Sequence, residues 1–520
     1  MNISWYINRL KTMSVGELVF RAEQLAYRKF SKQFYIGLRP KVKLNSLPTK
    51  LLPLEDEFFQ SLQIDESSSF KILGLDWDYS VKHDWHLDIR SGGLFPKVFC
   101  RSVNTRSDEF GIAKYVWEPN RHQFLTRICY QFRKTGDDKW LQLFMMHLRS
   151  WYQDNPYLIG VNWYSNIEVN LRLINWFLCW EILDLNTLME ERQDVKSFVE
   201  ECFTPLIYLH CKYSHNYPSK YSSANNHRIA EGVGLFIASS YWNFPESEAW
   251  NKSARKIIEH EMVAQHAASG INREETSEYI QFITDYFLVS KVVADRTGKP
   301  FTDRYESYLH NAIRYVYELM DCKGGINHYG DADNGRTFIL EEDPEHFNNF
   351  KSLVVSGAML YQDEELKSAA GNWDTKNQVL FGKDGQHTFN QVASSTKVHA
   401  SQFYSNEGRY IFRKRDEEKE ILMNFNAAPL GFLSIAAHGH ADALSFSLSV
   451  DGFTVLVDTG TFSYHTDMPW RNYFKGTLAH NTVIRVEKGR GNFSRVSSDS
   501  IDIFPTFPFI KLHNFTSQQK

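Results

Sequence analysis

The spacing of apolar residues divides the chain into a helical part and a strand part. From about residue 121 to residue 361, apolar side chains recur every three or four positions, which is typical of amphipathic helices. The predicted helices span residues 121–134, 138–154, 166–185, 195–213, 226–242, 246–268, 276–296, 305–320 and 350–361. Successive helices with short connections pack as antiparallel hairpins. Because no repeat of fixed length is visible, a closed α/α toroid is favoured over an open solenoid.

After about residue 380 the apolar period changes to two, which indicates strands. The clearest case is an alternating run after residue 443, in which Asp451-Gly452 is a two-residue turn signal. Such a turn would pair Val450 with Phe453, Leu448 with Val455, and Phe446 with Val457. The run is therefore predicted to be a β-hairpin in an antiparallel β-sandwich, separate from the helices.

These patterns predict three regions. Residues 1–100 form an N-terminal arm with one amphipathic helix, residues 101–371 an α/α toroid, and residues 387–520 a short β-sandwich. The polar stretch 372–386 is the predicted linker. The helix of the arm begins with the capping box Ser14-Val15-Gly16-Glu17 and is expected to pack on the main body by its apolar stripe.

Composition excludes several classes of protein. With 58 Lys and Arg against 62 Asp and Glu, the net charge of -4 gives no general attraction to nucleic acid. No apolar run approaches the roughly 18 residues of a membrane span. No apolar segment follows Met1, so we expect no signal peptide, and the cytoplasm is the default location. The six cysteines have no CxxC spacing and are expected to be core thiols. The sequence carries no signal for the oligomeric state.

Two helix starts carry candidate chemistry. Asn225-Asn226-His227-Arg228 opens one predicted helix, where the exposed amides and the positive helix end can bind a carboxylate. The same residues could equally be a simple cap. The second start runs from Glu274 to Tyr279. A single tyrosine in a helix is usually a packing residue.

The third candidate is a histidine cluster in the strand part. His438 and His440 are two residues apart, so they face the same side if a strand has already begun there. With Asp458 and His480 they offer the nitrogen and oxygen ligands of a zinc-like site, or they could simply be hydrogen-bonded. The predicted hairpin register places Asp458 opposite Ser445, so a metal site would need the backbone to bend at Gly439 or Gly460.

Taken together, these motifs resemble the heparinase II/III-like polysaccharide lyases, and the match covers most of the chain. The matching segments are residues 162–168, 225–228, 275–279, 438–443, 457–460 and 480–483. The resemblance implies an α/α toroid, an incomplete barrel of helical hairpins, followed by an antiparallel β-sandwich. It also implies an acidic polysaccharide substrate, a carbon–oxygen lyase reaction at a uronic acid and a place in the periplasm or cell envelope.

For the reaction, the resemblance implies roles for three residues. Asn226 would hold the uronate carboxylate, with Asn225 or His227 as alternatives. Tyr279 would remove the C5 proton and then protonate the leaving oxygen, and Tyr286 is a rival for this role. His438 would be a partner base or would neutralise charge.

The resemblance further implies a structural zinc and a set of sugar-binding residues. Zinc would be held near the cleft by His440, Asp458 and His480, and no organic cofactor is implied. The candidates for gripping the sugar chain are Trp163, Glu168, Arg172, Asn225, His227 and Arg228.

Two other functions fit parts of the pattern. A glycoside hydrolase on an α/α toroid could use a carboxylate pair, Glu168 with either Glu231 or Glu275. A non-catalytic glycan-binding or assembly protein would use the same residues only to hold its fold.

Overall fold

The computed structural model describes residues 13–483 except 108, 222–223, 333, 417–418, 430, 432–437 and 463–466. The end of the predicted β-sandwich, residues 484–520, lies outside the described residues, as does the start of the arm. The first helices along the chain are α1 Val15–Phe34, α2 Asp56–Ser61, α3 Ala113–Asn120, α4 Leu125–Thr135 and α5 Asp138–Asp154. A short hairpin of β1 Ser69–Ile72 and β2 Leu75–Asp78 lies between α2 and α3.

The helical part continues through residue 391. Its remaining helices are α6 Asn166–Leu183, α7 Leu185–Glu191, α8 Gln193–Phe198, α9 Thr204–Asn216, α10 Asn226–Tyr241, α11 Ser247–Gln265, α12 Ser277–Arg296, α13 Asp303–Leu319, α14 Asn349–Tyr361, α15 Glu364–Ala369 and α16 Thr375–Gln391. All residues of α6 are buried, so this helix is the centre of the helical core. The predicted helix 195–213 is interrupted by a π-helical turn, Val199–Phe203.

The prediction of a linker at residues 372–386 is wrong, because most of this segment belongs to α16. This helix is kinked at Gly382, whose φ is +66°, and it buries Val379, Leu380, Phe381 and Phe389 in the helical core. Polar residues on its outer side concealed the helix from the sequence pattern. The change from helix to strand therefore falls after Gln391, later than predicted.

The N-terminal helix packs by the opposite face from the one predicted. Glu17 and Ser31 are buried, and the Ser31 and Tyr217 hydroxyls lie 2.5 Å apart. The apolar stripe faces outwards, with Val15 78% and Leu25 59% exposed. The capping box is confirmed in part, since the Glu17 N–H donates to the Ser14 hydroxyl at 3.2 Å.

The strand part contains one five-stranded antiparallel sheet in the order β3-β4-β5-β6-β7. Its strands are β3 Gln402–Tyr404, β4 Arg409–Arg415, β5 Glu420–Asn426, β6 Ser445–Val450 and β7 Phe453–Leu456. The predicted Asp451-Gly452 turn is confirmed, and both residues have positive φ. Val450 pairs with Phe453 as predicted, but the register then shifts and Leu448 pairs with Leu456.

The two faces of this sheet differ in polarity. The buried face carries Ser445, Ser447 and Ser449, together with Arg409 and Arg413 of β4. It lies against the helical part, where Arg413 donates to the backbone oxygens of Glu318 and Met320 at 2.9 and 2.8 Å. The outer face is apolar and partly exposed, and it includes Phe403, Phe412 and Ile421. Apolar alternation therefore predicted the strands correctly but not which face is buried.

Two further observations concern the cysteines and the bilayer. Five cysteines are buried, as expected, but Cys322 is exposed. Among the helices of the described part of the chain, none is both long enough and apolar enough to cross a membrane.

Candidate active site

The site is centred on a contact between the starts of α10 and α12. The Asn225 side chain caps α10 by accepting from the His227 N–H at 3.3 Å. Asn226 is buried, and both of its amide groups donate to one carboxylate, that of Glu274. The backbone N–H reaches Oε1 at 2.6 Å, and the side-chain amide reaches Oε2 at 2.8 Å.

Glu274 was not assigned a role from the sequence, although it lies in the cluster that precedes α12. Its side chain is fully buried. The positive start of α10 was predicted to bind the carboxylate of a substrate, yet at the Asn226 N–H it binds the carboxylate of Glu274. Glu274 takes one of the two hydrogens of the Asn226 side-chain amide, and the second has no partner among the residues that the structure describes.

Tyr279 and His438 complete this cluster. Thr276 caps α12 by accepting from the Tyr279 N–H at 3.3 Å, which fixes the tyrosine in the first turn. The rings of Tyr279 and His438 lie 4.5 Å apart between centroids, tilted by 32°. Nε2 of His438 is 3.5 Å from Oε2 of Glu274. Asn226 and His438 therefore contact the same buried carboxylate, and Tyr279 joins them through its ring contact with His438.

The rival tyrosine lies elsewhere. Tyr286 is two turns further along α12, where it is fully buried and its ring is 4.8 Å from that of Phe282. The described contacts thus bring Tyr279, rather than Tyr286, to His438.

His438 and His440 do not stand on a strand, because β6 begins only at Ser445. His438 has a φ of +64°, an uncommon conformation for a residue other than glycine. Its backbone oxygen accepts from the Asp331 N–H at 3.2 Å, and its Nδ1 is 3.4 Å from Oδ2 of Asp331. The two histidines are therefore placed by a loop that is held against Asp331 rather than by strand alternation.

Asp331 is a second functional candidate that the sequence did not reveal. Its carboxylate accepts from His440 Nε2 at 2.8 Å and from the Arg471 guanidinium at 2.6 and 2.8 Å. Burial alone would raise its pKa, but Arg471 and the two histidines outweigh burial and hold the pKa well below its usual range. Asp331 lies in the irregular connection between α13 and α14, where no periodic pattern distinguished it.

The predicted metal group is brought together. His440, Asp458 and His480 each offer one ligand atom, and these atoms lie within 4.8 Å of one another. Nδ1 of His440 is buried and has no hydrogen-bond partner among the residues that the structure describes, which suits a metal ligand. Nδ1 of His480 is 2.9 Å from Oδ2 of Asp458. The donor set fits a zinc-type ion.

The predicted hairpin register would have kept Asp458 opposite Ser445 and away from His440, but the observed register is different. The register shift between Leu448 and Ser449 moves β7 by one residue, and β7 ends at Leu456. Asp458 therefore lies beyond the ladder, where it is not held opposite Ser445.

Three residues predicted to bind sugar lie instead in the helical core, so these predictions are corrected. Trp163 is fully buried and donates to the Asn155 backbone oxygen at 3.2 Å. Glu168 is ion-paired with Arg121 at 2.8 Å. Arg172 is fully buried and donates to Nε2 of His210 at 2.8 Å. Polar residues of α6 are used to hold the toroid together.

The other predicted sugar-binding residues remain close to Asn226. His227 and Arg228 are partly buried in the first turn of α10. Arg228 pairs with the buried carboxylate of Glu231 at 2.9 Å. Asn225 is occupied as the cap of the helix and Arg228 by its ion pair, so the binding of sugar by these residues stays a prediction.

The carboxylates of the hydrolase alternative are each held by an arginine. Glu168 pairs with Arg121, Glu231 with Arg228, and Glu275 with Arg409. Burial raises the pKa of both Glu231 and Glu275, against the lowering effect of their arginines. These carboxylates thus act as structural partners rather than as a facing pair.

Comparison of the sequence with models of protein families identifies the family of this chain. A model of the heparinase II/III N-terminus matches residues 74–350, which is more than half of the chain. The heparinase II/III-like C-terminal model matches residues 396–498. The chain belongs to the heparinase II/III-like family.

The similar proteins include lyases of known name. The heparin-sulfate lyase of Pedobacter heparinus is 23% identical over 381 residues, covering 71% of this chain and 51% of that protein. The heparin-sulfate lyase of Bacteroides thetaiotaomicron is 23% identical over 431 residues, covering 78% and 54%. The chain therefore spans about half the length of these curated relatives.

Solved structures confirm the fold. A crystal structure of heparinase III superposes with a TM-score of 0.57 at 18% identity, covering 90% of this chain and 68% of that one. A mutant heparan sulfate lyase from Pedobacter heparinus gives a TM-score of 0.51 at the same identity and coverage. The predicted fold class, an α/α toroid followed by an antiparallel β domain, is thus confirmed.

Proposed function

We propose that this chain is a polysaccharide lyase that cleaves a glycan of the heparan sulfate type by β-elimination at a uronic acid. The observation that carries the proposal is that Asn226 and His438 contact the Glu274 carboxylate while the His438 ring lies against Tyr279, where the helical and strand parts meet. The names of the similar lyases support the substrate class.

The reaction needs charge compensation and a proton transfer. Removal of the C5 proton adds negative charge beside the substrate carboxylate, and a fixed donor must offset that charge. The remaining hydrogen of the Asn226 side-chain amide is such a donor, because Glu274 fixes the orientation of the amide.

The Tyr279 hydroxyl group, once deprotonated, accepts the C5 proton, and the electron pair of the C–H bond forms the C4–C5 double bond. The bond from C4 to the leaving oxygen breaks, and Tyr279 returns a proton to that oxygen. His438, stacked on the tyrosine ring, is placed to support the proton transfer.

We also propose that the group His440, Asp458 and His480 holds zinc. Such an ion, when bound, supplies a fixed positive charge and ties the three loop segments together. The chain's own residues carry the elimination. Metal analysis of protein purified without added metal should find zinc at near one equivalent, and a folded protein without metal would refute the assignment.

The test of the function is a digest of several polymers, read by ultraviolet absorbance of unsaturated uronate ends. Heparan sulfate, chondroitin sulfate and alginate are incubated separately with the protein. We expect absorbance to rise with heparan sulfate. Cleavage that yields only saturated ends would contradict elimination and favour a hydrolase, and the absence of cleavage of any uronate polymer would favour a binding protein.

A further inference from the structure

The three predicted metal ligands all come from the strand part of the chain, but one carboxylate beside them comes from the helical part. His440, Asp458 and His480 follow β5. Asp331 lies in the connection between α13 and α14, is buried, and accepts from His440 Nε2 at 2.8 Å. The helical domain therefore reaches the metal group through Asp331.

This contact gives the two ring nitrogens of His440 different roles. An ionised carboxylate only accepts hydrogen bonds, so the nitrogen that faces Asp331, Nε2, carries the hydrogen. Nδ1 then bears the lone pair. In the described part of the chain Nδ1 is buried without a hydrogen-bond partner. A carboxylate on one ring nitrogen that leaves the other nitrogen for a metal is a recurring arrangement in metalloproteins.

Asp331 also contacts other segments of the strand part. Arg471 donates to both of its oxygens, and the Thr461 hydroxyl donates to Oδ1 at 3.0 Å. Nδ1 of His438 lies 3.4 Å from Oδ2. One carboxylate of the helical domain thus contacts a metal ligand, a candidate catalytic histidine and the segments that flank them.

We propose that Asp331 is the positioning residue through which the helical domain completes the metal centre and sets the position of His438 beside Tyr279. The inference rests on the zinc site of the proposed function. Because Asp331 is also a contact between domains, metal binding and domain docking are coupled. By thermodynamic linkage, docking strengthens metal binding by the same factor by which the metal strengthens docking.

If Asp331 only stabilises the fold through its ion pair with Arg471, a different outcome is expected. Loss of such a pair would lower the stability of the protein but would leave the zinc affinity of the folded protein unchanged. Zinc affinity, rather than activity alone, therefore separates the two roles.

The test is the zinc affinity of the full chain, measured by competition with a chromophoric chelator. We expect Asp331→Asn to weaken zinc binding by roughly 10- to 100-fold, the usual effect of losing an outer carboxylate. The matched control is Asp343→Asn, an exposed residue of the same connection that contacts the backbone of Glu345. The control should bind zinc as the native chain does, whereas Asp458→Ala should lose binding.

A second variant covers the case in which Asp331→Asn does not fold. Asp331→Glu keeps the charge for Arg471 but displaces the acceptor by one methylene, so it too should bind zinc more weakly. In a His440→Ala background, Asp331→Asn should have no further effect on residual zinc binding.

If the folded Asp331 variants bind zinc as tightly as the native chain while Asp458→Ala binds it weakly, the role of Asp331 is wrong and the zinc assignment stands. A native chain that binds no zinc would overturn the zinc assignment and this inference with it. Neither result would bear on elimination, which the polymer digest tests separately.

Discussion

Glu274 accepts both amide groups of Asn226, the backbone N–H at 2.6 Å and the side-chain amide at 2.8 Å. This pair joins the start of α10 to the segment before α12. Since an ionised carboxylate only accepts hydrogen bonds, the asparagine side chain is held with its amide rather than its oxygen towards Glu274. The residue proposed to bind the substrate carboxylate is therefore preorganised by a second carboxylate.

We predict that Glu274→Gln lowers activity by roughly ten- to a hundredfold. Hydrogen bonds to charged groups contribute about 1.5–3 kcal/mol, which corresponds to that range in rate. The glutamine can accept only through one oxygen, so it no longer fixes both amide groups of Asn226. Steady-state kinetics on heparan sulfate measure the effect, which should lie mainly in kcat.

The control for this variant is Glu259→Gln. Glu259 is on α11, where its carboxylate is 3.8 Å from Arg255 in a partly exposed pair. Pairs of this kind contribute little to stability, so activity should be native. Equal losses in both variants would contradict the role of Glu274.

The two tyrosines of α12 provide a matched comparison. We expect Tyr279→Phe to lower kcat by at least about a hundredfold, because it removes the group that moves the proton. Tyr286→Phe, in the helical core, should retain activity. Ultraviolet absorbance of the products and thermal unfolding of both variants are the measurements. Native activity in Tyr279→Phe would exclude this tyrosine as the base.

Much of the fold was readable from the sequence because it depends on local periodicity. The helix Asp138–Asp154 and the turn at Asp451-Gly452 were predicted at their observed positions. Errors arose where tertiary packing overrides the local pattern. The apolar stripe of α1 faces outwards, while Glu17 and Ser31 are buried. The alternation in β6 also left open which face is buried, and the serine face is the buried one.

The residue types of the site came from the motifs, and their catalytic roles stay a prediction. The structure links Asn226, His438 and Tyr279 by contacts in which Glu274 takes part, and neither Glu274 nor Asp331 was assigned from the sequence. Asp331 contacts His440 across 109 positions of the sequence, and no periodic signal marks such a pair. Trp163 and Arg172 were assigned to the sugar because sequence alone does not separate a buried polar residue from one in a cleft.

The corrected position of Glu168 can be tested directly. We expect Glu168→Gln to lower the free energy of unfolding by about 1.5–3 kcal/mol, because one of its two charged hydrogen bonds to Arg121 is lost while Glu118 still pairs with Arg121. KM of the folded protein should not change, since the residue does not line the cleft. Denaturant unfolding and kinetics measure the two effects. A raised KM with native stability would restore Glu168 to the sugar-binding residues.

The contact between Glu275 and Arg409 links the strand part to the segment that positions Tyr279. Glu275 has a φ of +58° and accepts from Nε of Arg409 at 3.0 Å. The Arg409 guanidinium also lies 4.1 Å from the centre of the Tyr329 ring. Because Glu275 is four residues before Tyr279, this ion pair connects domain docking to the geometry of the proposed base.

We therefore expect Arg409→Met to lower both stability and kcat. Removing one partner of a buried ion pair costs about 3–5 kcal/mol, because the other charge stays buried. The double variant Glu275→Gln with Arg409→Met leaves no unpaired charge, so it should recover most of the stability. If kcat follows stability in both variants, the pair acts only through docking. A double variant that is stable but still slow would show that the pair itself positions the start of α12.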